Sequence, residues 1–154
     1  MSRALTLVDA EANARSTYVT LIEDDFPLCG DDAWQMFLRV LWEANTHAPR
    51  HCGAFVGTGG TGLVLRRSMV VPAAKLLVDP SYTVVPPDVL LQDCLLGKIP
   101  ACQHCQRSLV ISRTLLMRHL GFNTSTSDDR HYDKDKYQCG WRHPFNGDPD
   151  LLTV

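Results

Sequence analysis

Apolar positions fall into short strand-like runs and helical stripes that alternate along the chain. Residues 4–14 are alanine-rich and favour a helix. Residues 17–22 are β-branched and aromatic, and Tyr18, Val19, Leu21 and Ile22 read as a buried strand. From Gly30 a second helix opens, with Asp31 as its N-cap, and runs to His47-Ala48-Pro49. Trp34, Phe37, Leu38 and Leu41 recur on it at helical spacing, which predicts a core-facing stripe. Residues 54–65 place two apolar strands around a glycine-rich turn. Ser68 caps a helix through Leu77, and Pro87-Asp88 starts another that Gly97 ends, with Val89, Leu90, Cys94 and Leu95 as its buried stripe. Residues 109–112 form a further strand, residues 114–121 carry the chain onward, and the sequence from Asn123 is polar and loop-like, returning to aromatics at Tyr137, Trp141 and Phe145. Strands alternating with helices make the fold class α/β.

Composition narrows the function. The 154 residues are one domain's worth, and a net charge of -2 without a Lys/Arg cluster gives no footprint for nucleic acid. No apolar run is long enough to span a membrane, and the first residues are not a signal peptide. The 6 cysteines are compatible with three disulfides, with buried thiols, or, through Cys102-Gln103-His104-Cys105, with a zinc site. Disulfides come first, with Cys102–Cys105 or a bond from one of them to Cys94 the nearest in sequence. The sequon Asn123-Thr124-Ser125 leans toward an oxidising compartment as well.

The chemistry gathers at Glu23-Asp24-Asp25. A strand that buries its other side chains cannot keep three carboxylates inside, so they stand where it leaves the core. In an open α/β sheet that is the ligand crevice. Adjacent like charges call for a cation, and a hard divalent metal so held can grip a phosphate. An acidic turn is the plainer reading. Gly59, Gly60 and Gly62 form either a tight hairpin or a floor under a flat ligand such as a sugar. His119 is either a satisfied core residue or a second metal ligand.

In this order the pieces resemble the metal-dependent GT-A glycosyltransferases. The matching segments are Glu23-Asp24-Asp25, the Gly59-Gly60-Thr61-Gly62 turn through Ser68, Pro87-Asp88 through Asp93-Cys94, and Leu115 through Ser125 with His119 inside it. The last two, with His104-Cys105 between them, are most similar to the N-acetylglucosaminyltransferase IV family, which branches N-glycans. The β3-glycosyltransferase and fringe enzymes and the GPI-glycan N-acetylgalactosaminyltransferases share parts of the pattern. The resemblance implies a Rossmann-like mixed sheet flanked by helices, corresponding to the C-terminal half of a GT-A enzyme and lacking its N-terminal nucleotide-binding half. Residues 1–127 form this partial domain and 128–154 a loop-rich tail. It also implies a small sheet with an exposed edge or apolar face.

The resemblance further implies inverting transfer of a sugar, such as N-acetylglucosamine, from a UDP-sugar to a glycan or glycoprotein acceptor, once the missing half completes the enzyme. Asp25 and His119 would share Mn²⁺ or Mg²⁺, with Glu23 or Asp24 reaching the ribose or a metal-bound water. Gly59, Gly60 and Gly62 would lie along the donor sugar or acceptor. Asp88 would be the base, with Asp93 as the alternate. The implied setting is the Golgi or ER lumen, with membrane attachment only through an anchor this chain lacks. The alternative is a glycan-binding or structural remnant without turnover. A zinc protein built on Cys102, Cys105 and two histidines leaves the acidic triplet unexplained.

Overall fold

Successive side chains of a strand point to opposite faces of its sheet, and here both faces are covered. The computed structural model describes residues 1–10, 16–121, 123–124, 127–131, 133, 135–148 and 151–154. In chain order the elements are α1 (Ser2–Ala10), β1 (Tyr18–Leu21), α2 (Ala33–His47), β2 (Gly53–Phe55), β3 (Leu63–Arg66), α3 (Val70–Leu76), α4 (Pro87–Leu95), β4 (Leu109–Ile111), β5 (Asn123–Thr124), β6 (Ser127–His131) and β7 (Leu152–Thr153). Five strands make one mixed sheet in the order β1-β3-β2-β4-β7, and β5 pairs with β6 separately. β3 is antiparallel to both β1 and β2, whereas β2, β4 and β7 run parallel.

One face carries Phe55, Leu63, Leu65, Leu109 and Ile111, packed under α1, α3 and α4. The other carries Ala54, Val56, Val64 and Val110, packed under Phe37, Val40 and Ala44 of α2. This two-sided burial explains why the strands read as short apolar runs rather than as alternating patterns. The fold is thus α/β, a five-stranded mixed sheet flanked by helices. β1, which leads into the acidic triplet, lies at one edge of it.

Several expectations change. The first helix is described over Ser2–Ala10, and the rest of its expected span, residues 11–14, lies outside the described residues. Asp32 rather than Asp31 caps α2, without a side-chain cap bond. Trp34 and Leu38 are exposed rather than core, because the face that meets the sheet is Ala33, Phe37, Val40 and Ala44. The helix expected from Ser68 starts as a 3-10 turn and becomes α-helical at Val70, so Pro72 occupies its first turn, where no amide is needed. Val89 is exposed. The stretch read as a tail returns to the sheet as β7, and β6 at its start pairs with β5 just before it. The sequon's Ser125 lies outside the described residues. No helix among those residues is long and apolar enough to cross a membrane.

The cysteines form three disulfides: Cys29–Cys139, Cys52–Cys105 and Cys94–Cys102. The bond between Cys94 and Cys102 matches one expectation, and Cys102–Cys105 does not form. Cys105 instead faces the entrance of β2, where Cys52 waits. A zinc site on Cys102 and Cys105 is excluded, since neither sulfur is a thiolate. Among the described residues the one cluster of three ligand-type groups is Cys52, His104 and Cys105, and two of its sulfurs are bonded to each other.

A buried histidine sits behind the sheet. His143 is 1% exposed, its ring edge-on to Phe55 at 4.9 Å. Its Nδ1 accepts the Phe145 N–H at 3.3 Å, and Nε2 has no hydrogen-bond partner among the described residues. The Gly57 backbone lies near enough to favour the charged form slightly but lacks hydrogen-bond geometry. Burial dominates and pushes the imidazole down to about 4.

Two outcomes follow from these features. All six cysteines should resist alkylation until reduced, and Cys139→Ser should lower stability in urea by about 5 kcal/mol, the chain-entropy value for a loop of this size. His143 is neutral when folded, while in the unfolded chain it titrates near the ordinary 6.5. Its depressed pKa therefore gives stability that is full above pH 6.5 and is lost as pH falls from there toward 4. The loss should approach about 3 kcal/mol, and His143→Leu should flatten that part of a urea-midpoint-versus-pH curve.

Candidate functional site at the exit of β1

The exit of β1 is fixed by its neighbour. Gly62 N–H donates to the Leu21 carbonyl at 2.8 Å, and Glu23 N–H donates to the buried Thr61 hydroxyl at 3.1 Å. The strand is thereby pinned to the glycine turn just as its side chains become acidic. Glu23 and Asp24 are exposed, and Asp25 is half-buried.

The next residues form a second, irregular antiparallel pairing. Leu120 N–H donates to Asp25 O at 2.9 Å, Arg118 N–H to Pro27 O at 3.2 Å and Cys29 N–H to Leu116 O at 3.0 Å. Leu116 N–H in turn donates to Val56 O, which anchors this pair to β2. Residues 114–121 are therefore extended, neither helix nor sheet strand. The pairing brings His119 to Asp25, with Nε2 and Oδ2 2.8 Å apart across 94 residues of sequence. Phe26 stacks on the imidazole with centroids 4.6 Å apart and fixes its plane. Asp25 is the more accessible partner, its side chain 40% exposed against 14% for His119.

The glycine turn brings in two more carboxylates. A Cβ on Gly60 would lie 2.6 Å from Glu23 Oε1 and 3.2 Å from Asp88 Cβ, so the bare backbone fits between strand exit and helix start. Asp88 is in the first turn of α4. The Glu23 carboxyl is raised above its ordinary range by partial desolvation first, then by the charges of Asp25 and Asp88, with His119 opposing. Glu23, Asp25, Asp88 and His119 thus share one electrostatic neighbourhood. Gly62 adopts φ +75°, and Gly59 O accepts from Gln92 Nε2 at 2.8 Å.

No family model, curated protein or solved structure matches the chain. The site is therefore read from its own geometry. Asp93 stands apart from it: it pairs with Lys98 at 3.4 Å near the far end of α4, as its five-residue offset from Asp88 dictates. Thr61, Phe26, Gln92 and Gly121 support the site and were not singled out in the sequence. Only Gly121 carried a signal, a glycine directly after the histidine block. A cavity of about 610 Å³ between α2 and the ends of β4 and β7 is lined by Arg39, Glu43, Arg113 and Leu152 among others, and by none of the acidic cluster. Charge and convergence, rather than volume, mark the candidate site.

Asp25 and His119 set an oxygen and a nitrogen side by side, with the Glu23 and Asp88 carboxylates in the same neighbourhood.

Turn sterics give a separate test. Gly30 and Gly62 both adopt positive φ, but a Cβ at Gly62 would meet Gly57 N at 2.5 Å whereas at Gly30 it meets nothing. Gly30→Ala should cost about 1 kcal/mol in urea unfolding, the backbone penalty alone. Gly62→Ala should cost at least ~2 kcal/mol, because strain and collision add.

Proposed function

We propose that this chain carries the cation-binding and acceptor-facing part of a metal-dependent inverting glycosyltransferase of the GT-A type, acting on a UDP-sugar donor and a glycan acceptor. The observation that supports it most is the direct contact of Asp25 with His119 beside Glu23 and Asp88. Residues from four separate segments converge there in the order the GT-A resemblance implies. The mixed α/β sheet, with the acidic triplet at the end of its edge strand, agrees with that reading. The three disulfides fit an oxidising lumen such as the ER or Golgi.

In this reading Asp25 and His119 hold Mn²⁺ or Mg²⁺, which when bound neutralises the diphosphate as the glycosyl bond breaks. Glu23 or Asp24 would reach the donor's ribose. Asp88, in the first turn of α4, would take the acceptor hydroxyl's proton. The glycine turn keeps side chains out of the space between Glu23 and Asp88, where a sugar ring would lie. Phe26 keeps the His119 imidazole oriented, and Thr61 holds the Glu23 backbone in place.

A second reading has its own support. Asp25 and His119 already bond to each other, so the pair is satisfied without an ion, as in a glycan-binding or structural remnant of the fold. Water-proton relaxation during a Mn²⁺ titration separates the two. The transferase reading expects saturable binding below about 1 mM, weakened at least tenfold by Asp25→Ala and by His119→Ala and left unchanged by Asp93→Asn. Absence of saturable binding at millimolar Mn²⁺ removes the transferase reading and leaves the second.

A further inference from the structure

The cavity between α2 and the ends of β4 and β7 lies apart from the acidic cluster, and none of the chemistry proposed above uses it. Its volume of about 610 Å³ falls within the ~300–1,000 Å³ of sites that hold small molecules. Its floor is apolar. Val40 and Leu116 belong to the core cluster on that face of the sheet, and Leu152 packs against them. Met36 of α2 adds an exposed, unbranched side chain to the wall, one that adapts to what it meets.

The charges around that floor decide what it can hold. Glu43 is already engaged. Its carboxylate meets His47 Nε2 at 3.0 Å and Arg39 Nε at 3.7 Å, each one turn away on α2. Ser112 is engaged as well, its hydroxyl donating to the Thr114 carbonyl at 2.7 Å. Arg113 differs. Its backbone is tied, with the N–H donating to Val154 O at 2.7 Å and the carbonyl accepting from His143 N–H at 3.0 Å. Its guanidinium has no hydrogen-bond or ion-pair partner among the described residues, and Arg113 lines the cavity. A cationic ligand would have to break the pairs of Glu43, whereas an anion meets a guanidinium free to bind it.

The same balance sets the ligand's charge and shape. One free guanidinium beside one paired carboxylate suits a single negative charge, because a dianion would also face Glu43. A planar carboxylate matches the guanidinium fork through two parallel bonds. We propose that this cavity binds a small amphipathic carboxylic acid, its carboxylate on Arg113 and its hydrocarbon part over Val40, Leu116 and Leu152. The proposal does not rest on the glycosyltransferase reading, since the two sites share no residue.

Isothermal titration calorimetry of the intact chain with octanoate tests this. Binding should saturate at one molecule per chain, with a dissociation constant below about 1 mM. Octanamide has the same chain length without the charge, and it should bind at least about tenfold more weakly, the loss expected for one charge-assisted pair. Arg113→Gln should weaken octanoate binding to the same degree. Met36→Trp should weaken it too, by filling the cavity from a position that is 46% exposed. Far-UV circular dichroism should be unchanged in both variants, because the Arg113 side chain makes no bond and Met36 lies outside the core. Absence of saturation at about 10 mM octanoate overturns the proposal. Octanamide that binds as tightly as octanoate overturns it without recourse to any variant. Octanoate binding that either variant leaves unchanged also overturns it, since the molecule then sits elsewhere on the surface. Inorganic phosphate that binds more tightly than octanoate, and loses that binding in Arg113→Gln, overturns the amphipathic ligand and leaves a plain anion site.

Discussion

The backbone pairing of residues 25–29 with 116–120 is the contact on which the candidate site rests. Neither segment is a regular strand, and neither has a sequence pattern that would bring it to the other. Three hydrogen bonds hold them, Val56 anchors the second segment to the sheet, and the Cys29–Cys139 disulfide closes the pair from behind. Without that pairing Asp25 is one exposed acid after a strand and His119 is one imidazole in an apolar run. With it, the two side chains meet in a hydrogen bond of 2.8 Å.

The sheet places this pairing by supplying two rigid exits side by side. β1 leaves the core at Leu21, and the turn between β2 and β3 leaves at Val56 and returns at Leu63. Because β3 lies between β1 and β2, the glycine turn passes directly beside the acidic triplet. α4 then delivers Asp88 from the covering layer. The distance between Glu23 and Asp88 is thus set by one missing side chain, that of Gly60, rather than by any bond between the two acids.

Sequence reading found the elements whose burial is two-sided, since an apolar run such as Leu63-Val64-Leu65 admits little else. It also grouped Asp25 with His119 through the family resemblance, while the residues alone left His119 open between a core position and a ligand. It failed where the hydrophobic signal does not say which way a residue faces. Trp34 and Leu38 have helical spacing whether they meet the sheet or water, so spacing alone could not choose between them. Disulfide partners failed for a different reason: proximity in sequence favoured Cys102 with Cys105, but a 3-10 turn points Cys105 toward β2 and Cys102 toward α4. The support from Thr61 and Gln92 left no trace in the sequence, because a hydroxyl or amide that bonds backbone looks like any other polar residue.

The Cys29–Cys139 bond closes a covalent ring, since its ends lie 110 residues apart, and everything of the candidate site except Glu23, Asp24, Asp25 and Phe26 lies within the loop. A protease that cuts the ring once, for instance in the exposed part of the glycine turn, would not release a fragment. Both pieces would stay joined, and the strands on either side of the cut would remain in register. The topology thus tolerates a break at the loop tip, where a linear chain of the same fold would depend on noncovalent packing alone to keep its site assembled.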